Sequence, residues 1–287
     1  MSRRLAIVLL AAAAALPAAV SAQPAGLAAA QQSALQTAVA ASTRTPANTA
    51  RDRYRHPAET LAFFGVKPRD TVVEIWPGGG WYTEILAPYL ASGGGTLILA
   101  APEWGRSGIV KLKAANATLY GSLTVADFPM FDGEPAEIAP GTVDAVLTFR
   151  NVHNFKMGYK RGDKADYSVA AFQQIFAMLK PGGVLGIEDH RLPESADAER
   201  ERTSGYIKNS TVVRLAEQAG FKLAGTSEIN ANSKDTADWP EGVWTLPPTF
   251  ALEAQDRAKY AAIGESDRMT LKFVKPATVP AQPERGR

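Results

Sequence analysis

The stretch 71–83, TVVEIWPGGGWYT, limits what this chain can fold into more than any other. β-Branched residues run into the acid Glu74, Pro77-Gly78-Gly79-Gly80 breaks the run, and a helix-compatible segment follows over 81–91. A strand, a glycine turn and a helix in that order predict the first unit of a doubly wound α/β sheet, with the turn at the carboxyl end of the strand. Glycine has no Cβ, so backbone N–H groups at the helix start can come close to a ligand there. The turn is read as a nucleotide or nucleoside site.

The rest of the chain repeats the alternation. A helix is predicted over Pro57–Phe64, closed by Gly65, and Pro88 is expected to kink or end the helix after the turn. Apolar runs predict strands at 96–101, 122–126, Val143–Phe149, 184–187, 221–228 and 269–274. Helices are predicted over 166–179 and, with Ser210 as N-cap, over 211–219. The expected fold is a Rossmann-like, mostly parallel sheet of seven strands with helices on both faces and an antiparallel edge strand.

Residues 1–22 carry two arginines, an apolar run too short to span a bilayer and small residues at Val20-Ser21-Ala22, the pattern of a secretory signal peptide. The expected organisation is then an Ala/Gln-rich leader over 23–50, weakly helical or disordered, one domain over 51–275 with an insertion or lid over 229–268, and a flexible tail over 276–287. The expected location is periplasmic or secreted, with no membrane association after cleavage. Removing residues 1–22 takes away two arginines and no acids, so the formal charge falls from +2 to 0 and leaves no basic footprint for nucleic acid. The absence of cysteine excludes thiolate catalysis and cysteine metal sites.

The pieces VVEIWPGGGWYTEIL, DAVLTFRNVHNF and FAMLKPGGVLGIEDHR, in this order, resemble the class I S-adenosylmethionine-dependent methyltransferases, and more closely a predicted exported branch of them. The resemblance spans about 51–275 and implies S-adenosylmethionine as cofactor. It places Glu74, Gly78 and Gly80 around the amino-acid part of the cofactor, Glu103 at the ribose, Asp127 at the adenine amine, and Arg150 and Asn151 beneath the sulfonium. Spacing alone leaves Glu103 either as a ribose acceptor or as a solvated loop acid. Trp76 stands where the family has glycine. Its indole either fills the space of the methionine tail or turns aside to line the site, where a sulfonium on an aromatic face gains about 0.5–2 kcal/mol.

Methyl transfer to oxygen or nitrogen needs a base. His153 and His190 follow two strands expected to be neighbours, so both are candidates, with Asp189 as a group that orients His190. The competing reading is that each histidine fixes a loop. No ligand spacing recurs among Asn151, His153, Glu188, Asp189 and His190, so no metal is expected. Arg51, Arg53 and Arg55 either cover the cofactor pocket or form a solvated face. The expected function is a methyltransferase acting on a small-molecule substrate. The alternatives are a non-catalytic ligand-binding protein on the same fold and, on a loose match of Gly78, Gly80 and Thr83 to G-x-G-x-x-G, an NAD(P)-dependent oxidoreductase.

Overall fold

The computed structural model describes residues 28–131 and 133–277. The expected signal peptide and all but the start of the tail lie outside the described residues. β1 (Thr71–Ile75), β2 (Thr96–Ala100), β3 (Thr124–Ala126), β4 (Val143–Phe149), β5 (Leu179–Leu192), β6 (Ile207–Lys208), β7 (Lys222–Ser227) and β8 (Arg268–Val274) form one sheet. Its order is β3-β2-β1-β4-β5-β8-β7, with the two-residue β6 pairing beside β5. β1, β2, β3, β4 and β5 are parallel. β8 runs antiparallel between β5 and β7, so the reversed strand lies one place in from the edge.

Alternation along β1 explains the two layers. Val73 and Ile75 face one apolar core together with α9 (Ser168–Met178) and α10 (Asn209–Ala219). Val72 and its neighbours Leu97 and Leu147 face the other. That second layer holds α1 (Ala29–Val39), α4 (Pro57–Phe64), α5 (Thr83–Ala91) and α6 (Ser107–Ala115). The shorter α2 (Pro46–Thr49), α3 (Asp52–Arg55), α7 (Ala117–Tyr120), α8 (Val152–Lys156) and α11 (Arg257–Ile263) join the main elements. Among the described residues no helix is long and apolar enough to cross a membrane.

Several local expectations change. Part of the Ala/Gln-rich leader is α1, whose Leu35 and Ala38 are buried in the second core. Pro88 does not end α5, which continues to Ala91; only its last turn follows the proline. Ser210 is not a cap, because α10 begins at Asn209 and the Ser210 hydroxyl donates to Glu194 at 2.6 Å. Among the described residues the strands number eight because β6 forms.

α6 starts directly over the glycine turn. A Cβ on Gly108 would lie 2.0 Å from the carbonyl oxygen of Gly78, whereas one on Gly79 would meet nothing within 4 Å. Gly108→Ala is therefore expected to destabilise the protein by about 1–3 kcal/mol, as overpacking against backbone does. Gly79→Ala should stay within about 0.5 kcal/mol of the parent, as surface changes do. Chemical denaturation of both variants checks this, and equal stabilities would contradict the packing of α6 on the turn.

Candidate functional site

The carboxyl ends of the strands carry two neighbouring regions. One lies beyond β1, β2 and β3, the crevice an open α/β sheet offers a nucleotide. Glu74 is buried there, accepts a hydrogen bond from the Thr83 hydroxyl at 2.6 Å, and has its pKa pushed up to about 7 by that burial. Gly78 and Gly79 leave the turn open and exposed, while Gly80 packs on Leu112. Glu103 lies in an exposed single turn after β2. Asp127 is paired with Arg106 at 2.6 Å.

Trp76 occupies the centre of this crevice. Its backbone keeps a φ of 47°, the left-handed conformation that favours glycine, although the residue carries an indole. The ring N–H donates to the Phe128 carbonyl at 2.9 Å, so the side chain reaches from the end of β1 to the chain beyond β3. Trp104 and Phe155 each lie edge-on to it at 5.1 Å, and Tyr159 lies at 6.5 Å. The ring is turned toward the chain beyond β3, next to Asp127, the residue that the resemblance places at the adenine amine. The outer rings Trp104 and Tyr159 are 48% and 43% exposed, so the stack faces solvent and is not sealed.

The second region is a cavity of about 450 Å³ beyond β4 and β5. Arg51 and Arg55 line it from the N-terminal side, Arg150, His153, Asn154 and Tyr159 from the β4 exit, and His190 from β5. Val243, Trp244, Pro247, Pro248 and Thr249 close it from the insertion, with Glu265 and Ser266 before β8. None of Glu74, Trp76, Gly78, Gly80, Glu103 or Asp127 is on its wall. Asn151 is not either: its amide donates to the Ile75 carbonyl at 3.0 Å and so ties the exit of β1 to that of β4.

Asp189 orients the other histidine from the one expected. Its carboxylate lies 2.7 Å from Nδ1 of His153 and accepts the His153 backbone N–H at 3.1 Å. The His190 ring instead meets Ser266 Oγ through Nδ1 at 2.5 Å, and only its backbone N–H reaches Asp189. Successive β5 side chains point to opposite faces, which separates Asp189 from the ring of its neighbour. A carboxylate can only accept, so the Nδ1 of His153 carries a hydrogen and, in the neutral ring, Nε2 is the nitrogen with the lone pair. Burial first, then the neighbouring His153 and Arg150, push the pKa of His190 well below the usual histidine range.

The ligand atoms of His153, Asp189 and His190 come within 4.8 Å of one another. Three N–H groups already occupy the Asp189 carboxylate, and the cavity is lined by guanidinium groups, a poor surrounding for a cation.

From the cavity wall inward runs a charge network that sequence reading missed. Glu265 accepts from Arg51 Nε at 2.6 Å and Arg55 Nε at 2.9 Å. Arg268 bonds Glu188 at 2.8 Å and lies 3.2 Å from Glu265. Burial pushes Glu265 up, but Arg55, Arg268 and Arg51 outweigh it and hold its pKa down at about 2. Arg55 and Glu265 stand 210 residues apart, so no local pattern could have joined them.

The comparison with solved structures fits this topology. A S-adenosylmethionine-dependent methyltransferase from Aquifex aeolicus superposes with a TM-score of 0.51 at 14% identity, covering 85% of this chain and 98% of the other. The fold is that of these methyltransferases. The CurJ carbon methyltransferase aligns at TM-score 0.50 and 12% identity, over 85% of this chain and 59% of its own. The [4+2]-cyclase SpnF aligns equally well, at TM-score 0.51 and 13% identity over 86% and 93% of the two chains, so the fold is not confined to proteins named as methyltransferases. No protein-family model and no curated protein sequence matches this chain.

Proposed function

We propose that this protein is an S-adenosylmethionine-dependent methyltransferase that acts on a small acceptor outside the cytoplasm. The fold supports the reaction class, and the export-type residues 1–22 support the location. The observation that carries the reading is His153 on the cavity wall, held from behind by the buried carboxylate of Asp189. It supplies an oriented base of the kind proton removal from an acceptor hydroxyl or amine requires.

The fit to the cofactor is uneven. The turn is open at Gly78 and Gly79, where backbone N–H groups can meet an anionic tail. The adenine end is filled by Trp76, and Arg106 neutralises Asp127. When bound, the cofactor supplies the methyl group as an electrophile, and the protein's share is alignment and proton removal. Binding then requires the Trp76–Trp104–Tyr159 stack to part, so affinity should be weak.

Calorimetric titration of the purified protein with S-adenosylhomocysteine tests this. We expect saturable binding, competed by S-adenosylmethionine and absent with NAD. Silence at millimolar concentrations, in a variant with the stack removed as well as in the parent, would leave a ligand-binding protein on this fold. The filled crevice is the observation that favours that second reading.

A further inference from the structure

We propose that the cavity beyond β4 and β5 is an oxyanion site, and that the small molecule it takes carries a carboxylate or phosphate on an apolar, ring-like body. The inference rests on the transferase reading only in calling that molecule the acceptor; the anion site itself stands on the cavity.

Three guanidinium groups on the cavity wall each keep one buried nitrogen without a hydrogen-bond partner: Nη2 of Arg51, Nη1 of Arg55 and Nη1 of Arg150. The Arg55 side chain is 3% exposed, so it cannot turn to bulk water. Buried donors of this kind are satisfied in native proteins, and guanidinium donors match the planar or tetrahedral oxygens of carboxylate and phosphate.

Charge points the same way. Arg51, Arg55, Arg150 and Arg268 face Glu188 and Glu265, four cations against two carboxylates, while Asp189 is taken up by His153; an anionic head would offset the difference. Glu74, the next carboxylate out, is close to half-neutral at pH 7, since burial lifts its pKa to about 7. Arg55 is itself held down to about 9, first by burial and then by Arg150. The opposite wall, with Trp244, Pro247 and Pro248, suits an apolar body, and the volume lies in the range of small-molecule sites.

The amino-acid tail of the methyl donor is a poor match for this cavity, because its ammonium would enter among the same guanidinium groups. The acceptor head is the better match. It also brings a neighbouring hydroxyl or amine within the region that the Nε2 of His153 serves.

The test is titration of the cofactor-free, full-length protein by NMR or calorimetry at low salt with benzoate, phenyl phosphate, benzamide, benzylamine and L-methionine. Benzoate or phenyl phosphate should bind at least about tenfold more tightly than neutral benzamide, the range for charge-assisted hydrogen bonds. Whichever of the two binds more tightly names the head group. Benzylamine should not bind, and methionine should bind more weakly than benzoate.

Arg150→Gln should erase the preference for the anions. Arg51→Gln, whose side chain is 25% exposed, provides a second variant if the first does not fold. The proposal is overturned if no anion binds, if benzamide or benzylamine binds as tightly, if methionine exceeds benzoate, or if a folded variant keeps the full preference. Because no cofactor is present, anion binding with silence toward S-adenosylhomocysteine would remove the transferase reading and leave this site standing; the converse result would remove the site alone.

Discussion

Replacing Arg268 with leucine is expected to lower the unfolding free energy by about 3–5 kcal/mol, the range for breaking one side of a buried ion pair. Arg268 is 1% exposed, and its partner Glu188 is fully buried on the adjacent strand, the two joined at 2.8 Å across β5 and β8. Burial alone would lower the pKa of Arg268, but Glu188 and Glu265 outweigh it and raise it.

After the substitution Glu265 keeps Arg51 and Arg55, so its charge remains compensated. Glu188 keeps only the Tyr82 hydroxyl at 3.2 Å and an Arg150 nitrogen 4.0 Å away. The loss therefore comes mainly from one carboxylate stranded between strands. If so, adding Glu188→Leu to Arg268→Leu should recover much of the stability, since apolar replacements for a buried pair are often neutral. Urea denaturation at neutral pH measures both. A double variant as unstable as the single one would mean that packing of the arginine stem, and not unpaired charge, governs the site.

That network shows where sequence reading stops. β1 and β4 are legible because apolar and β-branched residues dominate short stretches between turn signals, and the helix Pro57–Phe64 announces itself through a proline at its start and a glycine at its end. β6 has two residues, too few for any period to register. α6 buries only Ile109 and Leu112 and contains a glycine at its second position, so its pattern is faint. The same holds for ion pairs such as Arg55 with Glu265, which owe their closeness to the closing of the sheet and not to spacing.

The candidate site divides along the same line. His153 and His190 do meet, with ring centres 5.1 Å apart, because β4 and β5 are neighbours as the alternation implied. Which of them Asp189 holds depended on side-chain direction along β5. The glycine turn is visible as composition and the substitution at Trp76 as a departure from it. The direction its ring takes depends on contacts with Phe128, Trp104 and Phe155, which lie 28 to 79 positions further along the chain.

Trp76→Gly is expected to tighten binding of S-adenosylhomocysteine by about 30- to 900-fold, or ~2–4 kcal/mol, because it removes the contacts that ligand entry must otherwise break. Displacing the indole gives up one N–H···O=C bond, worth about 1 kcal/mol net, and two edge-on aromatic contacts worth about 0.5–1.5 kcal/mol each. Glycine suits the backbone at φ 47° better than tryptophan does, so the variant should not lose the turn.

Phe at the same position separates the two contributions: it keeps a ring but no N–H, and should tighten binding by less than glycine. Calorimetry of the three proteins gives the series. An unchanged affinity in Trp76→Gly, with the parent binding well, would show that the adenosyl group enters elsewhere and that the indole is a core residue. Weaker binding in the glycine variant would show instead that the ring is part of the ligand's own wall, and the crevice would have to rearrange around Trp76 on binding rather than be vacated by it.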